Sequence, residues 1–176
     1  AGGRKCRDYV MRTLQTYADE TLPHSFALEF GRPRRTVAAT NIIARFQPQK
    51  EQRLLLCAHW DTRPWADMDP SPQNRQTPIL GANDGASGVA VLLELARLLH
   101  AHKPALGVDL VLFDGEDSGE SHTPDSYARG SAAFARDWGS RLHPRFAILL
   151  DMIGDKDLQI FYEAHSLQYA PQIVHK

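Results

Sequence analysis

Residues 81–99 have the sequence GANDGASGVAVLLELARLL, in which a turn signal leads directly into an apolar helical pattern. The turn signal is the Asn-Asp-Gly at 83–85. Beyond it, apolar residues fall at helical spacing on two faces, and only Glu94 and Arg97 interrupt them. A segment that is apolar on nearly every side predicts a buried helix. Asp84 then lies at the N-terminus of that helix.

Two roles are open to Asp84 at this position. Its side chain can cap the exposed backbone N–H groups of the helix, where the helix dipole also favours a negative charge. Alternatively, it can belong to a site that other acidic residues complete. The segments around the helix bear on this choice.

Strands and helices alternate on both sides of this segment. Strand-like stretches occur at 25–30, 37–46, 53–58, 108–113, 146–152 and 158–162, and helical stretches at 6–17 and 129–138. The pair at 37–46 and 53–58 predicts a hairpin or two neighbouring strands. The apolar runs at 108–113 and 146–152 predict buried strands. We therefore predict an α/β fold: a three-layer α/β/α sandwich with a central mixed, mostly parallel sheet.

Composition and charge exclude several classes of function. The 176 residues suffice for one domain, and 20 basic residues nearly balance 21 acidic ones, giving a net charge of −1. No basic stripe indicates nucleic-acid binding, and no polybasic helix indicates a membrane surface. The longest apolar runs are shorter than the ~18 residues of a membrane-spanning helix. We therefore predict neither nucleic acid nor a membrane as a partner.

Acidic and imidazole groups follow the predicted strands or precede the central helix. They are His59 and Asp61 after 53–58, Asp84 before the helix, Glu116 and Asp117 after 108–113, and Asp151 after 146–150. In open α/β sheets the ligand crevice lies beyond the carboxyl ends of the strands. Taken singly, each residue has a structural explanation, such as a turn cap or a packed histidine. Together they predict a cluster whose mutual repulsion a divalent cation relieves, and zinc suits these ligands.

Glu116 and Asp117 need different roles, because adjacent residues rarely bind the same ion. The simplest division gives one of them to the metal and makes the other a general acid and base. A carboxyl group among other carboxylates has a raised proton affinity, which suits that second role.

Four segments carry a resemblance to a known family. They are HWDTRPWADMDP (59–70), TPILGANDGASGVAVLLELARLL (77–99), LVLFDGED (110–117) and LLDMIGD (149–155). They resemble the zinc exopeptidase superfamily, which contains aminopeptidases and glutaminyl cyclases. The long insertion before 81–99 and the Glu-Asp pair make the sequence more similar to the cyclases, particularly bacterial ones. The likeness spans about residues 54–162.

The resemblance implies a site for one zinc ion and an N-terminal glutamine. It implies that Asp84 and Asp117 bind zinc, that Glu116 is the proton shuttle, and that Asp151 is a carboxylate beside the reacting centre. The substrate would be a peptide or protein with N-terminal glutamine, which is converted to pyroglutamate with release of ammonia. Trp65 and His122 are expected to line the substrate pocket.

Two alternatives remain open. In a two-zinc aminopeptidase, His59 and Asp151 would bind the second zinc, Asp84 would bridge both ions, and Glu116 would activate a water molecule. The other alternative is a binding domain without catalytic activity on the same scaffold. The intact acidic residues argue against it, because a site without a function has no reason to keep like charges together.

The resemblance also implies a third zinc ligand, a histidine that comes later in the family's chain. We therefore expect residues 1–176 to be a catalytic domain that lacks its C-terminal part, and inactive by itself. His122, His143 and His165 are conceivable substitutes, but none follows a strand in the expected order. Because relatives are often exported, an exported or periplasmic location is expected by analogy.

Overall fold

Five strands form a sheet in the computed structural model, which describes residues 2–31 and 33–175. In chain order the strands are β1 (Glu20–Phe30), β2 (Arg35–Phe46), β3 (Arg53–His59), β4 (Gly107–Phe113) and β5 (Pro144–Leu149). The helices are α1 (Gly2–Tyr17), α2 (Ala86–Ala101), α3 (Arg129–Trp138), α4 (Ala164–Tyr169) and α5 (Pro171–Val174). None of the described helices has the length and apolarity to cross a membrane.

The sheet is mixed, as predicted, with the strand order β1-β2-β4-β3-β5. β4 and β5 run parallel to β3, whereas β2 pairs antiparallel with both β1 and β4. β4 therefore separates β2 from β3, and the prediction that 37–46 and 53–58 are neighbours is wrong. Every residue of β4 is buried, so this strand occupies the centre and the loop at 47–52 crosses the width of one strand.

Helices cover both faces of the sheet and give the three predicted layers. α1 and α2 pack on one face against alternate residues of β4, among them Leu110 and Leu112. α3 packs on the other face, where Phe134 lies in a core cluster with Val111 and Phe113. Successive side chains of a strand point to opposite faces, so β4 supplies both cores.

α2 is buried on one face only. Gly88, Val89, Leu92 and Ala96 are buried, but Val91 and Leu98 are 39% and 38% exposed. The predicted burial on nearly every side is therefore wrong for the outward face. A Cβ at Gly88 would overlap the carbonyl oxygen of Leu150. Glycine at this position thus lets the chain after β5 run close beside the first turn of α2.

The end of the described chain differs from the prediction. β5 lies at the edge of the sheet, and its residues Ile148 and Leu149 are 42% and 60% exposed, so 146–152 is not a buried strand. Residues 158–162 form no strand, because no described strand runs beside them to pair with their backbone groups. The last described helix is the short α5 at Pro171–Val174.

Candidate metal centre

The parallel strands β3, β4 and β5 finish at the same edge of the sheet, and acidic side chains follow there. His59 is the last residue of β3, the Asp114–Asp117 segment follows β4, and Asp151 comes shortly after β5. The turn before α2 brings Asp84 to the same place, where it lies 2.9 Å from His59. The structure thus gathers residues that are far apart in the sequence.

His59 lies at the middle of this cluster, with its side chain 2% exposed. Its Nε2 atom is 2.9 Å from Asp84 Oδ1 and 3.4 Å from Asp151 Oδ1. Its Nδ1 atom is 3.6 Å from Asp61 Oδ1 and 4.0 Å from Glu116 Oε2. Although these oxygens are close, neither ring nitrogen makes an aligned hydrogen bond within the described residues.

Asp84 belongs to this cluster and does not cap the helix. The N-cap of α2 is Gly85, and among the described residues no side chain makes a capping hydrogen bond there. Instead, His59, Asp84 and Asp151 each offer one ligand atom, and these atoms all lie within 4.8 Å of one another. A Cβ at Gly85 would contact the ring of His59, so the glycine allows this close approach.

Asp117 is a buried acid that follows β4. The residue is 9% exposed, and its Oδ1 is 3.6 Å from Nη1 of Arg63. Its Oδ2 is buried without a hydrogen-bond partner in the part of the chain that the structure describes. A buried carboxylate oxygen left unpaired is costly unless a cation satisfies it. Carboxylate oxygens such as this one and imidazole nitrogens such as those of His59 are ligand types that zinc accepts.

Asp61 holds the backbone of the two neighbouring acids. Its Oδ1 accepts a hydrogen bond from the N–H of Glu116 at 3.0 Å, and its Oδ2 accepts one from the N–H of Asp117 at 3.1 Å. The two carboxylate oxygens of Asp61 thus accept hydrogen bonds from two successive backbone amides. The sequence places Asp61 in the cluster but does not reveal this role, because it depends on which amides come within reach.

The crowding of charge shifts the proton affinities of the site. Burial raises the pKa of the Glu116 carboxyl to about 7, against the opposing effect of His59. Burial and then the charge of Asp84 raise the pKa of Asp117 to about 6. For His59, burial opposes protonation, but the surrounding carboxylates, above all Asp61, outweigh it and raise the pKa to about 9. The cluster therefore favours a positive charge at its centre.

The chain matches peptidase family M28 over residues 41–175, which is most of its length. This protein belongs to peptidase family M28. The solved structures that resemble this M28 chain include a Zn-dependent exopeptidase from Parabacteroides distasonis, with 36% identity and a TM-score of 0.93. They also include Bacteroides thetaiotaomicron glutaminyl cyclase bound to N-acetylhistamine, with 38% identity and a TM-score of 0.91. These likenesses confirm the predicted fold class and the resemblance to zinc exopeptidases and glutaminyl cyclases.

The M28 chain covers only part of these relatives. It aligns over 99% of its own length with 62% of the exopeptidase chain, and over 97% with 61% of the cyclase chain. Glutaminyl-peptide cyclotransferase from Drosophila melanogaster is 31% identical in an alignment 125 residues long, which covers 66% of this chain and 33% of that protein. The chain thus spans about a third of this curated relative and about six tenths of the solved structures.

The two pocket residues expected for an M28 cyclase line a common cleft. Trp65 and His122 both face a cavity of about 390 Å³, together with Met68 and Gln76. The indole of Trp65 also stacks on Phe30, with ring centroids 5.5 Å apart. His122 is exposed. Trp65 therefore packs against a neighbouring ring and also lines the cleft.

The other histidines do not join the metal centre. Within residues 2–31 and 33–175, His59 is the one histidine in the group that could hold a metal ion. His143 is exposed, and the ring of His165 stacks on Tyr169. Neither of them, nor His122, supplies the third ligand that the resemblance implies.

Two residues that the sequence did not single out hold the segment after Asp151. Asn83 Oδ1 accepts a hydrogen bond from the N–H of Gly154 at 2.7 Å, and Ser87 Oγ accepts one from the N–H of Ile153 at 3.1 Å. The turn before α2 and the first turn of the helix thereby hold the segment that follows Asp151. The Asn-Asp-Gly motif indicated a turn at Asn83, but its side-chain bond joins segments 71 residues apart.

Proposed function

We propose that the protein containing this chain is a zinc-dependent glutaminyl-peptide cyclotransferase, which converts an N-terminal glutamine to pyroglutamate and releases ammonia. The observation that carries this proposal is the loop at 61–79, whose Asp61 holds the backbone of Glu116 and Asp117 and whose Trp65 lines a cleft with His122. This insertion is the feature in which the sequence is more similar to cyclases than to aminopeptidases. The similarity to cyclases over nearly the whole chain also supports it.

In this proposal Asp84 and Asp117 hold the zinc ion. Both offer carboxylate oxygens, and the buried Oδ2 of Asp117 has no hydrogen-bond partner among the described residues. When bound, zinc supplies a Lewis acid for the side-chain amide carbonyl of the substrate glutamine.

Glu116 moves the proton. Its carboxylate takes a proton from the α-amine while the amine nitrogen attacks the side-chain amide carbon and forms the ring C–N bond. The same carboxyl then gives the proton to the amide nitrogen, so that its bond to carbon breaks and ammonia leaves. The side chain is 34% exposed, which leaves it accessible to a substrate, and Asp61 fixes its backbone N–H.

Asp151 lies beside the reacting centre, 3.4 Å from His59 Nε2 and with 43% of its side chain exposed. In the proposed reaction its negative charge attracts the incoming N-terminus as an ammonium group, which loses one proton to solvent before Glu116 takes the second proton during the attack. The hydrogen bonds of Asn83 and Ser87 to the two residues at 153–154 hold the segment that follows it.

A two-zinc aminopeptidase is the second candidate, and one observation favours it. His59, Asp84 and Asp151 present ligand atoms within 4.8 Å of one another, which is the set that a second zinc ion would use. In that enzyme Glu116 would activate water instead of the substrate amine. The chemistry on the substrate therefore differs, although the residues are the same.

The test uses the protein with its complete chain. Zinc per chain is counted by mass spectrometry, and activity is assayed with a glutaminyl peptide and with an aminoacyl anilide. We expect one zinc ion and release of ammonia from the peptide. Two zinc ions together with hydrolysis of the anilide would refute the cyclase proposal and support the aminopeptidase. Bound zinc with neither activity would indicate a binding domain.

A further inference from the structure

Arg63 uses all of its guanidinium nitrogens to join two loops of the site. Nε and Nη2 donate to the two carboxylate oxygens of Asp67, at 2.8 and 2.7 Å. Nη1 donates to the carbonyl oxygens of Asp117 and Gly119, at 3.0 and 3.2 Å. Nη2 also donates to Ser121 Oγ at 3.2 Å. The side chain is only 11% exposed, so these bonds lie largely inside the protein.

The same guanidinium group faces the side chain of Asp117. Nη1 is 3.6 Å from Asp117 Oδ1, whereas Oδ2 is buried and bonded to no described residue. Asp61 holds the N–H of Asp117 and Arg63 holds its carbonyl oxygen. Both backbone groups of Asp117 are thus held and its Oδ1 faces Arg63, so the buried Oδ2 is the oxygen left for a metal.

Aromatic rings and a second acid keep Arg63 in place. Its guanidinium carbon is 5.4 Å from the ring centroid of Tyr127 and 6.0 Å from that of Trp65, within the range of cation–π attraction. Asp67 also accepts a hydrogen bond from the hydroxyl group of Ser121. The hydrogen bonds from Arg63 lower the pKa of Asp67 to about 2, so the pair stays ionised at neutral pH.

We infer that Arg63 is a positioning residue of the metal centre: it orients Asp117 so that Oδ2 is presented to zinc. It also couples Trp65, at the cleft, to that ligand, because one side chain contacts both. The inference rests on the part of the proposed function that makes Asp117 a zinc ligand, and it holds for the cyclase and the aminopeptidase alike.

The arrangement requires arginine rather than any cation. A planar guanidinium can bind a carboxylate with two nitrogens and still reach two carbonyl oxygens, whereas a lysine ammonium concentrates its three donors at one point. Arg63→Lys therefore keeps the positive charge but loses several of the bonds. The two variants Arg63→Gln and Arg63→Lys separate the effect of charge from the effect of geometry.

The test measures zinc affinity, which does not depend on turnover. The metal-free complete protein competes with a chelator of known affinity for zinc, while circular dichroism checks that each variant is folded. Residues that orient a ligand typically change metal affinity by roughly 10–100-fold. We expect Arg63→Gln to weaken zinc binding within that range, and Arg63→Lys to weaken it less.

Arg97→Gln is the matched control, because it removes the same charge from an exposed pair with Glu94 on α2. It should leave zinc affinity within about twofold of the wild type. Arg63→Gln within the same limit would overturn the inference. If that variant does not fold, Arg63→Lys decides, and an unchanged affinity would again overturn the inference.

Activity is assayed in parallel to separate the two proposals. A wild-type protein that binds zinc but does not cyclise glutamine would refute the proposed function, while weaker zinc binding by Arg63→Gln would still support the role of Arg63. A wild-type protein that binds no zinc would refute both.

Discussion

Strands β3 and β4 bury charged groups at both of their ends, but only one end is balanced. Near the start of the strands, Asp109 is 1% exposed, and both of its oxygens accept hydrogen bonds from Arg53 at 2.7 Å. Arg45 adds another from its Nε at 3.1 Å. At the other end, several carboxylates surround the single imidazole of His59.

This difference in charge pairing indicates that the Asp109 end of the strands stabilises the fold and that the His59 end binds a ligand. Asp109 has its countercharges within the chain. At the opposite end, both ring nitrogens of His59 and one oxygen of Asp117 are buried without a partner among the residues described. Buried charges persist in proteins when they are paired or coordinate a metal. Because this chain pairs its charges fully at one end, the imbalance at the other end points to a cation supplied from outside.

The largest expected effect concerns Glu116 at the unbalanced end. Glu116→Gln removes the proton shuttle but keeps the size of the side chain, so cyclase turnover should fall by roughly 10²–10⁴-fold. Zinc content should stay close to one per chain, because Asp117 and not Glu116 is the proposed ligand. Steady-state kinetics and metal analysis measure both quantities.

Glu94→Gln serves as the control, since Glu94 lies on α2 and its side chain is 56% exposed. It should leave both turnover and zinc content unchanged. Loss of zinc in Glu116→Gln, with turnover restored by excess metal, would mean that the two neighbouring acids have the reverse roles.

At the balanced end, Asp109→Asn should destabilise the fold without affecting the metal. Removing one partner of a buried ion pair typically costs about 3–5 kcal/mol, because the other charge is left uncompensated. Here Arg53, 5% exposed, would lose its countercharge. Chemical denaturation measures the change, and zinc affinity of the folded variant should equal that of the wild type.

Glu20→Gln gives the matched comparison within the same network. Glu20 bonds Arg45 at 3.1 Å but is 44% exposed, so its removal should cost at most about 1 kcal/mol. Equal costs for Asp109→Asn and Glu20→Gln would show that the Asp109 network is not the stabilising end of the sheet.

Zinc removal should destabilise the metal-site end of the strands and leave the Asp109 end unchanged. A ligand present at about 100 times its dissociation constant stabilises the folded state by about 2.7 kcal/mol, so chelation should lower the free energy of unfolding by about that amount. Hydrogen exchange should rise at 114–121 and 151–154 and stay constant near Asp109. An equal rise at both ends would contradict a local metal site.

The residues at the strand ends could be predicted because their position follows from topology alone. A parallel sheet brings the carboxyl ends of its strands to one edge, so His59, Glu116 and Asp151 could be grouped from the sequence alone. The orienting role of Asp61 and the participation of Arg63 could not be predicted. Arg63 and Asp61 act through backbone groups that come within reach only once the loops have folded.

The errors in the fold have the same physical origin. The apolar pattern at 37–46 and 53–58 indicates strands but not their neighbours. The structure places β4, which is buried throughout, between them. Residues 158–162 have a strand-like composition, yet a strand needs another backbone to pair with. Local sequence therefore predicted elements and their ends better than it predicted pairing.

The smallest expected effect tests whether the anchors of the unbalanced end act individually or only together. Asn83→Ala removes the bond to the Gly154 N–H, and one neutral hydrogen bond contributes about 0.5–1.5 kcal/mol. Asn74→Ala is its control, because the side chain of Asn74 makes a longer, exposed bond of 3.3 Å to Asp69. In Asn83→Ala the unfolding temperature and the zinc affinity should both fall slightly. In Asn74→Ala neither should change. A loss of zinc affinity as large as that expected for Arg63→Gln would mean that the loop carrying Asp151, and not the orientation of Asp117, limits metal binding.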